Sequence, residues 1–257
     1  MSGKLVLLER REATALVTLN RPDSMNALSC ELMIELALTF RQLQKMDEVA
    51  CVILTGAGRG FCAGLDLNQL SERGLDGFAL SGENDIQAAV LGFDRPIIGA
   101  INGVAATGGF ELALWCDMLI ATPEAKFIDS HARVGVVPGW GLTQRLQRII
   151  GVNRARELHF TGNPLSADQA EQWGLVNRVV ESKALIPVCE DLAADIASCD
   201  RTTLKRMKRA VNEGGNMSMG AALDYEKLAT DLHGEMQSGE AIGQRRESVM
   251  SRNRSRS

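Results

Sequence analysis

Apolar residues along this chain come in short runs, each closed by a turn signal and followed by helical spacing. Residues 13–19 (ATALVTL) form the first good strand pattern, ended by Asn20-Arg21-Pro22-Asp23. A helix is predicted from an N-cap near Ser29 through ELMIELALTFRQLQKM, with Leu32, Leu36 and Leu43 on its apolar stripe. Further strands are predicted at ACVILT (50–55), IIGAI (97–101, opened by Pro96) and MLIAT (118–122). Glycine-rich loops at 56–64 and 102–109 follow two of them. Helical patterns occupy 86–92 and FELALWC (110–116), after a polar helix-and-loop stretch that runs to about residue 84. From about residue 190 the pattern is helical only, in LAADIA, LKRMKRAV and AALDYEKLATDL. Strands alternating with helices predict an α/β core over 1–190, followed by a helical C-terminal region over 191–257.

The composition narrows the function classes. The 257 residues are 45% hydrophobic and 23% charged, ordinary for a globular chain, with only 4% aromatic, so the core is built mainly of aliphatic side chains. A net charge of −4 gives no reason to expect nucleic acid or an anionic membrane as partner. The C-terminal Arg245, Arg246, Arg252, Arg254 and Arg256 stand against one acid, Glu247, and read as a solvated tail. Six cysteines show no metal spacing, and Cys51 and Cys116 lie in apolar runs, which favours reduced thiols. No signal-peptide pattern, bilayer-length apolar run or terminal peroxisomal leucine is present, so a cytoplasmic location is expected.

Several motifs fail. The loop GAGRGFCAG (56–64) has Phe61 where a dinucleotide fingerprint needs its last glycine, and no Gly-Lys-Ser/Thr makes it a phosphate loop. There is no G-x-S-x-G or H-E-x-x-H. His131, His159 and His233 are too scattered for a metal site, and none is expected.

What remains is a pair of glycine-rich turns, Gly60 to Asp66 and Gly103 to Gly109, the second leading straight into a helix. The first N–H groups of a helix lack intrahelical partners, and glycine lets a substrate approach the backbone. Two such turns facing each other can supply a pair of donors to one oxygen. Glu111 lies just inside the helix among Phe110, Leu112 and Trp115. With Gly108 as N-cap it can reach back to the first amides as a capping carboxylate. Alternatively, apolar surroundings raise its pKa and suit it to acid–base work.

The sequence resembles the crotonase (enoyl-CoA hydratase/isomerase) superfamily. The resemblance is carried in order by NRPDSMNALS, VILTGAGRGFCAGLDL, RPIIGAINGVAATGGFELALWCDMLIAT, AKFIDSHARVGVVPGWGLTQRLQRIIG and ELHFTGNPLSADQAEQWGLVNRVV. It implies a crotonase-like spiral of ββα units with a helical oligomerisation region, and an enoyl-CoA hydratase as the activity. A double-bond isomerase, or a non-catalytic acyl-CoA-binding homologue, is the alternative, and a dehalogenase or carbon–carbon lyase stays open.

By that resemblance, the N–H groups of Leu65 and Gly108 form the oxyanion hole for an acyl-CoA thioester carbonyl. Met25, Ala27, Leu28, Ala63, Gly64, Asp66, Leu67 and Asn68 belong to the parts that line the CoA pocket. Glu111 falls on the first catalytic glutamate. His131 stands where hydratases carry a second, and Asp129, two residues away, is a further candidate for its role. Trp140 replaces a small residue in the Pro138–Gly141 turn, and either narrows the acyl pocket or packs in the core. No cofactor beyond substrate CoA is implied. The family assembles as trimers, often paired into hexamers, and the basic tail gains a second reading as a partner for CoA phosphates.

Overall fold

The computed structural model describes residues 3–79, 81–234, 238–240, 242–243, 245–246 and 250. The chain divides into two units, Met1–Cys199 and Asp200–Ser257.

In the first unit, β1 (Val6–Arg11) and β2 (Thr14–Leu19) form an antiparallel hairpin. Helix α1 (Cys30–Gln44) begins where expected: the Ser29 side chain accepts the Leu32 N–H, and Leu32, Leu36, Phe40 and Leu43 are buried. Three times the chain then lays one strand in a large sheet and the next in a small one. The first pass is β3 (Cys51–Gly56) and β4 (Gly60–Cys62), followed by α2 (Leu67–Arg73) and α3 (Ile86–Leu91). The second is β5 (Ile97–Ile101), β6 (Val104–Ala106) and α4 (Gly108–Ala113). The third is β7 (Met118–Ala121), β8 (Lys126–Ile128) and the single turn α5 (His131–Val134). Helices α6 (Leu142–Ile150) and α7 (Val152–Thr161) follow, then β9 (Leu165–Ser166), α8 (Ala167–Gln172), β10 (Arg178–Val179) and α9 (Leu185–Ala197).

The large sheet runs β1-β2-β3-β5-β7-β10 and the small one β4-β6-β8-β9. From β2 onward the large sheet is parallel. Alternation between two sheets, one strand further along at each pass, is the ββα spiral the resemblance implied. The strands of the small sheet are only two or three residues long, and two of them lie inside stretches that pattern alone shows as glycine-rich loops.

Burial on both faces explains why the parallel strands read as unbroken apolar runs. Val52 and Leu54 face the cluster that includes α1, while Ile53, Ile98, Ala100 and Ile120 pack with Leu185, Cys189 and Ala193 of α9. Because α9 covers this second face it belongs to the first unit. The division therefore falls after Cys199, and the boundary expected at residue 190 lies inside α9.

In the second unit, Asp200 caps α10 (Arg201–Gly214) by accepting the Thr203 N–H at 2.8 Å. Helix α11 (Met219–Gly234) is tied to it by Thr203 Oγ1 and His233 Nε2, 3.0 Å apart. Met207, Val211, Leu223, Leu228 and Leu232 are exposed. Arg245 pairs with Asp200 at 2.7 Å, whereas Arg252, Arg254 and Arg256 lie outside the described residues. No helix among the described residues is long and apolar enough to cross a membrane.

Candidate active site

The frame of the site is built by backbone. After the 3-10 turn Pro22–Ser24, Met25 and Asn26 both adopt left-handed conformations, φ 47° and 56°. Asn26 tolerates this better than most residues and is fully buried. Its Oδ1 accepts the Arg21 N–H, and its Nδ2 donates to the carbonyls of Ala57 and Gly60. The turn is thereby fixed against the β3–β4 connection. Ala63 N–H donates to Met25 O, Leu28 N–H to Gly64 O, and Asp66 N–H to Leu28 O. These bonds turn Leu65's own N–H away from Leu28. Asp66 caps α2 and pairs with Arg21 at 2.9 Å.

Gly64 must be glycine. Its φ is +93°, and a Cβ there would lie 1.8 Å from Thr107 Oγ1. This close crossing carries the segment after β4 over the start of α4. Thr107 precedes that helix at φ 47°, ψ −118°, a strained conformation held by its N–H to Ile128 O and by its carbonyl, which accepts from Phe110 and Glu111. A Cβ built on Gly108 would stand 3.7 Å from Leu65 N, so the two turns do meet. Among the described residues, neither the Leu65 nor the Gly108 N–H has a hydrogen-bond partner.

Gly108 proves to be the first helical residue rather than the N-cap, which is Thr107. Glu111 is consequently one position too far along to cap its own helix. Its Oε1 instead accepts the N–H groups of Trp140 (2.7 Å) and Leu142 (3.2 Å), leaving Oε2 free of them. Burial raises the Glu111 carboxyl above the ordinary carboxylate range, and the nearby Asp129 charge adds to this. The two N–H donors and His131 offset only part of the rise.

His131 is the first residue of α5 and is buried. Its Nε2 lies 3.6 Å from Glu111 Oε2. Asp129 does not stand beside His131 as a second proton donor to the cavity. It bonds to it directly: Oδ1 accepts the His131 N–H at 3.1 Å and meets Nδ1 at 2.7 Å, because the chain turns into α5 instead of staying extended. The other oxygen, Oδ2, meets His159 Nδ1 at 2.5 Å. Burial opposes ionisation of Asp129, but the hydrogen bonds from His131 and His159 outweigh it and hold the carboxyl well below the usual range.

Glu111 and His131 open onto a cavity of about 350 Å³. Of the residues singled out in the sequence, Ala63, Leu65, Leu67, Gly108, Glu111, His131 and Trp140 line it. Met25, Ala27, Leu28, Gly64, Asp66 and Asn68 do not; they form the frame beneath. The remaining wall is largely apolar, with Leu70, Phe78, Val134 and Val136.

The chain matches the family described as enoyl-CoA hydratase/isomerase over residues 9–250. It belongs to this family. It is 44% identical to a probable peroxisomal enoyl-CoA hydratase of Arabidopsis thaliana over 83% of this chain and 80% of that one. With a short-chain-enoyl-CoA hydratase of Clostridium acetobutylicum it shares 37% identity over 87% of each. The structure of an enoyl-CoA hydratase subunit from Geobacillus kaustophilus superposes with a TM-score of 0.87 at 31% identity, covering 97% of this chain and 96% of that one.

Within the enoyl-CoA hydratase/isomerase fold, Trp140 packs against Trp115 and also lines the cavity. Its ring lies 5.3 Å from that of Trp115, whose Nε1–H donates to the Trp140 carbonyl, while an edge atom stands 3.1 Å from a Cβ placed on Gly108. Sequence reasoning missed Asn26, Thr107 and His159. For His159 a signal exists: Ala155 and Leu158 mark the inward face of α7, and His159 falls beside them. Among the described residues no group of three or more His, Cys, Asp or Glu is arranged to hold a metal ion.

Proposed function

We propose that the protein is an enoyl-CoA hydratase that adds water to a trans-2-enoyl-CoA thioester through an enolate. One observation carries this: two backbone N–H groups without partners among the described residues and an opposed Glu111–His131 pair open into the same largely apolar cavity. The thioester oxygen is held by Leu65 and Gly108, where charge develops as the enolate forms; each donor is worth about 3 kcal/mol in the transition state. Glu111 Oε2 takes a proton from water while the water oxygen bonds to C3, and the C2=C3 electrons move to the thioester oxygen. The enolate then collapses and C2 takes a proton from His131 Nε2. Transfer of the proton from Glu111 to His131 restores the pair.

The acyl group lies against Leu70, Phe78 and Val136 beneath Trp140, and the CoA arm passes over the frame of residues 25–28 and 63–68. CoA enters as part of the substrate, and the residues named complete the chemistry with no further cofactor. The exposed apolar side chains of α10 and α11 support assembly as a homotrimer or homohexamer. Four buried thiols, Cys30, Cys51, Cys62 and Cys189, support a reducing compartment, the cytoplasm.

A double-bond isomerase is the second reading, favoured because Glu111 is the single carboxylate that lines the cavity among the described residues, and a proton shift between C4 and C2 needs only one base. Incubation with a 2-enoyl-CoA and a 3-enoyl-CoA separates the two. A 3-hydroxyacyl-CoA from the first substrate supports the hydratase; a 2-enoyl-CoA from the second, with no hydration, replaces it by the isomerase.

A further inference from the structure

Asp129, at 2% exposure, sits between two imidazoles and uses both of its oxygens on them. A carboxylate held in its ionised form can only accept hydrogen bonds, so the Nδ1 atoms of His131 and His159 both carry hydrogen. Nε2 is then the one ring position at which His131 can gain or lose a proton. That is the atom facing Glu111.

His159 has no other polar task. Its Nε2 is buried and has no hydrogen-bond partner among the described residues, so its one side-chain bond is the one to Asp129. An apolar residue would fill the same place beside Ala155 and Leu158 without leaving a buried nitrogen unsatisfied. The contact with Asp129 accounts for a histidine here. Asp129 itself lies on the short connection between β8 and the single turn α5, whereas His159 projects from the ten-residue α7. The second hydrogen bond therefore ties a carboxylate on a connection to a rigid element.

We infer that Asp129 and His159 are positioning residues for the acid–base pair: Asp129 sets the tautomer and orientation of His131, and His159 holds Asp129 in place. The kinetic consequence rests on the hydratase reading of Glu111 and His131; the structural consequence does not. Neither residue touches substrate. The arrangement parallels the carboxylate that orients the histidine of a serine-protease triad, with a second histidine added behind it.

The test uses full-length protein carrying ¹⁵N-labelled histidine. Only three histidines are present, so single variants assign each ring. The wild type is expected to show hydrogen-bonded Nδ1–H signals from both His131 and His159. Asp129→Asn, whose neutral amide is a weaker acceptor, shifts or removes the His131 signal. In steady state on an enoyl-CoA, Asp129→Asn lowers kcat about a hundredfold with KM changed less than about twofold. His159→Leu lowers kcat about tenfold, and His159→Asn, whose amide nitrogen replaces Nδ1 as donor, restores most of it. This rescue separates lost positioning from lost folding. Unchanged kcat in His159→Leu, or a His131 signal indifferent to Asp129→Asn, overturns the inference. A wild type that hydrates no enoyl-CoA overturns the hydratase reading instead, and the ring signals still decide whether the chain of hydrogen bonds exists.

Discussion

Glu111 Oε2 and His131 Nε2 face each other at 3.6 Å in the cavity, and each group is held from behind by its other polar atom. Glu111 is fixed through Oε1 by two backbone N–H groups, His131 through Nδ1 by Asp129. Each therefore presents a single reactive atom. The carboxyl raised by burial and the imidazole beyond it face each other across a gap wider than a hydrogen bond, which a small approach of either side chain closes.

The closeness of Gly108 to Leu65 makes a sharp prediction. Gly108→Ala places a methyl 3.7 Å from Leu65 N and 3.1 Å from the Trp140 ring, in the space proposed for the thioester oxygen. Alanine suits a helix start, so folding is expected to survive. Activity should fall about a hundredfold with an unchanged circular dichroism spectrum. Retained activity removes the oxyanion role of these two amides.

Glu111 also sets a pH-dependent stability. Its pKa is raised in the folded protein, so between the unfolded and folded values the folded state binds more protons, and stability is lost as pH rises through that window. Glu111→Gln keeps an acceptor for Trp140 and Leu142 but removes the charge. The variant should gain about 1 kcal/mol at neutral pH, or about 2–4 °C in Tm, and gain little below about pH 4. A destabilised variant at pH 7 contradicts a burial-raised Glu111.

How far the sequence reveals this site depends on the range of each interaction. The strand ATALVTL and the helix opened by Ser29 were visible because burial on regular elements leaves a periodic trace, and Ser29 acts within three residues. The strands β4 and β6 were not, because three residues are too few for a period and the glycines that flank them, Gly64 and Gly103, serve close crossings against Thr107 and the Arg59 carbonyl. Glu111 was singled out by its apolar surroundings and by resemblance, and His131 by resemblance alone, but the groups that hold each of them were not visible. Glu111's bond to Trp140 spans 29 residues and His159's bond to Asp129 spans 30, and neither separation appears in any local pattern. The same limit placed Gly108 at the N-cap, since only the backbone of Thr107 shows where α4 begins.

Trp140 lines the cavity beside Gly108, and its removal tests its proposed place in the acyl wall. Trp140→Ala should cost about 3 kcal/mol in stability through the lost contact with Trp115. It should also raise kcat/KM for branched or aromatic enoyl-CoAs relative to crotonyl-CoA by about tenfold. Equal losses on all substrates would make Trp140 a packing residue alone.

The most direct measurement follows the ultraviolet absorbance of the conjugated thioester in crotonyl-CoA with the wild type, Glu111→Gln and His131→Gln. The wild type is expected to remove the absorbance by forming the 3-hydroxyacyl thioester, and each variant to lose about a hundredfold or more in rate while still binding the substrate. A wild type that binds crotonyl-CoA and longer enoyl-CoAs yet leaves their absorbance unchanged would contradict the account, as would variants as active as the wild type.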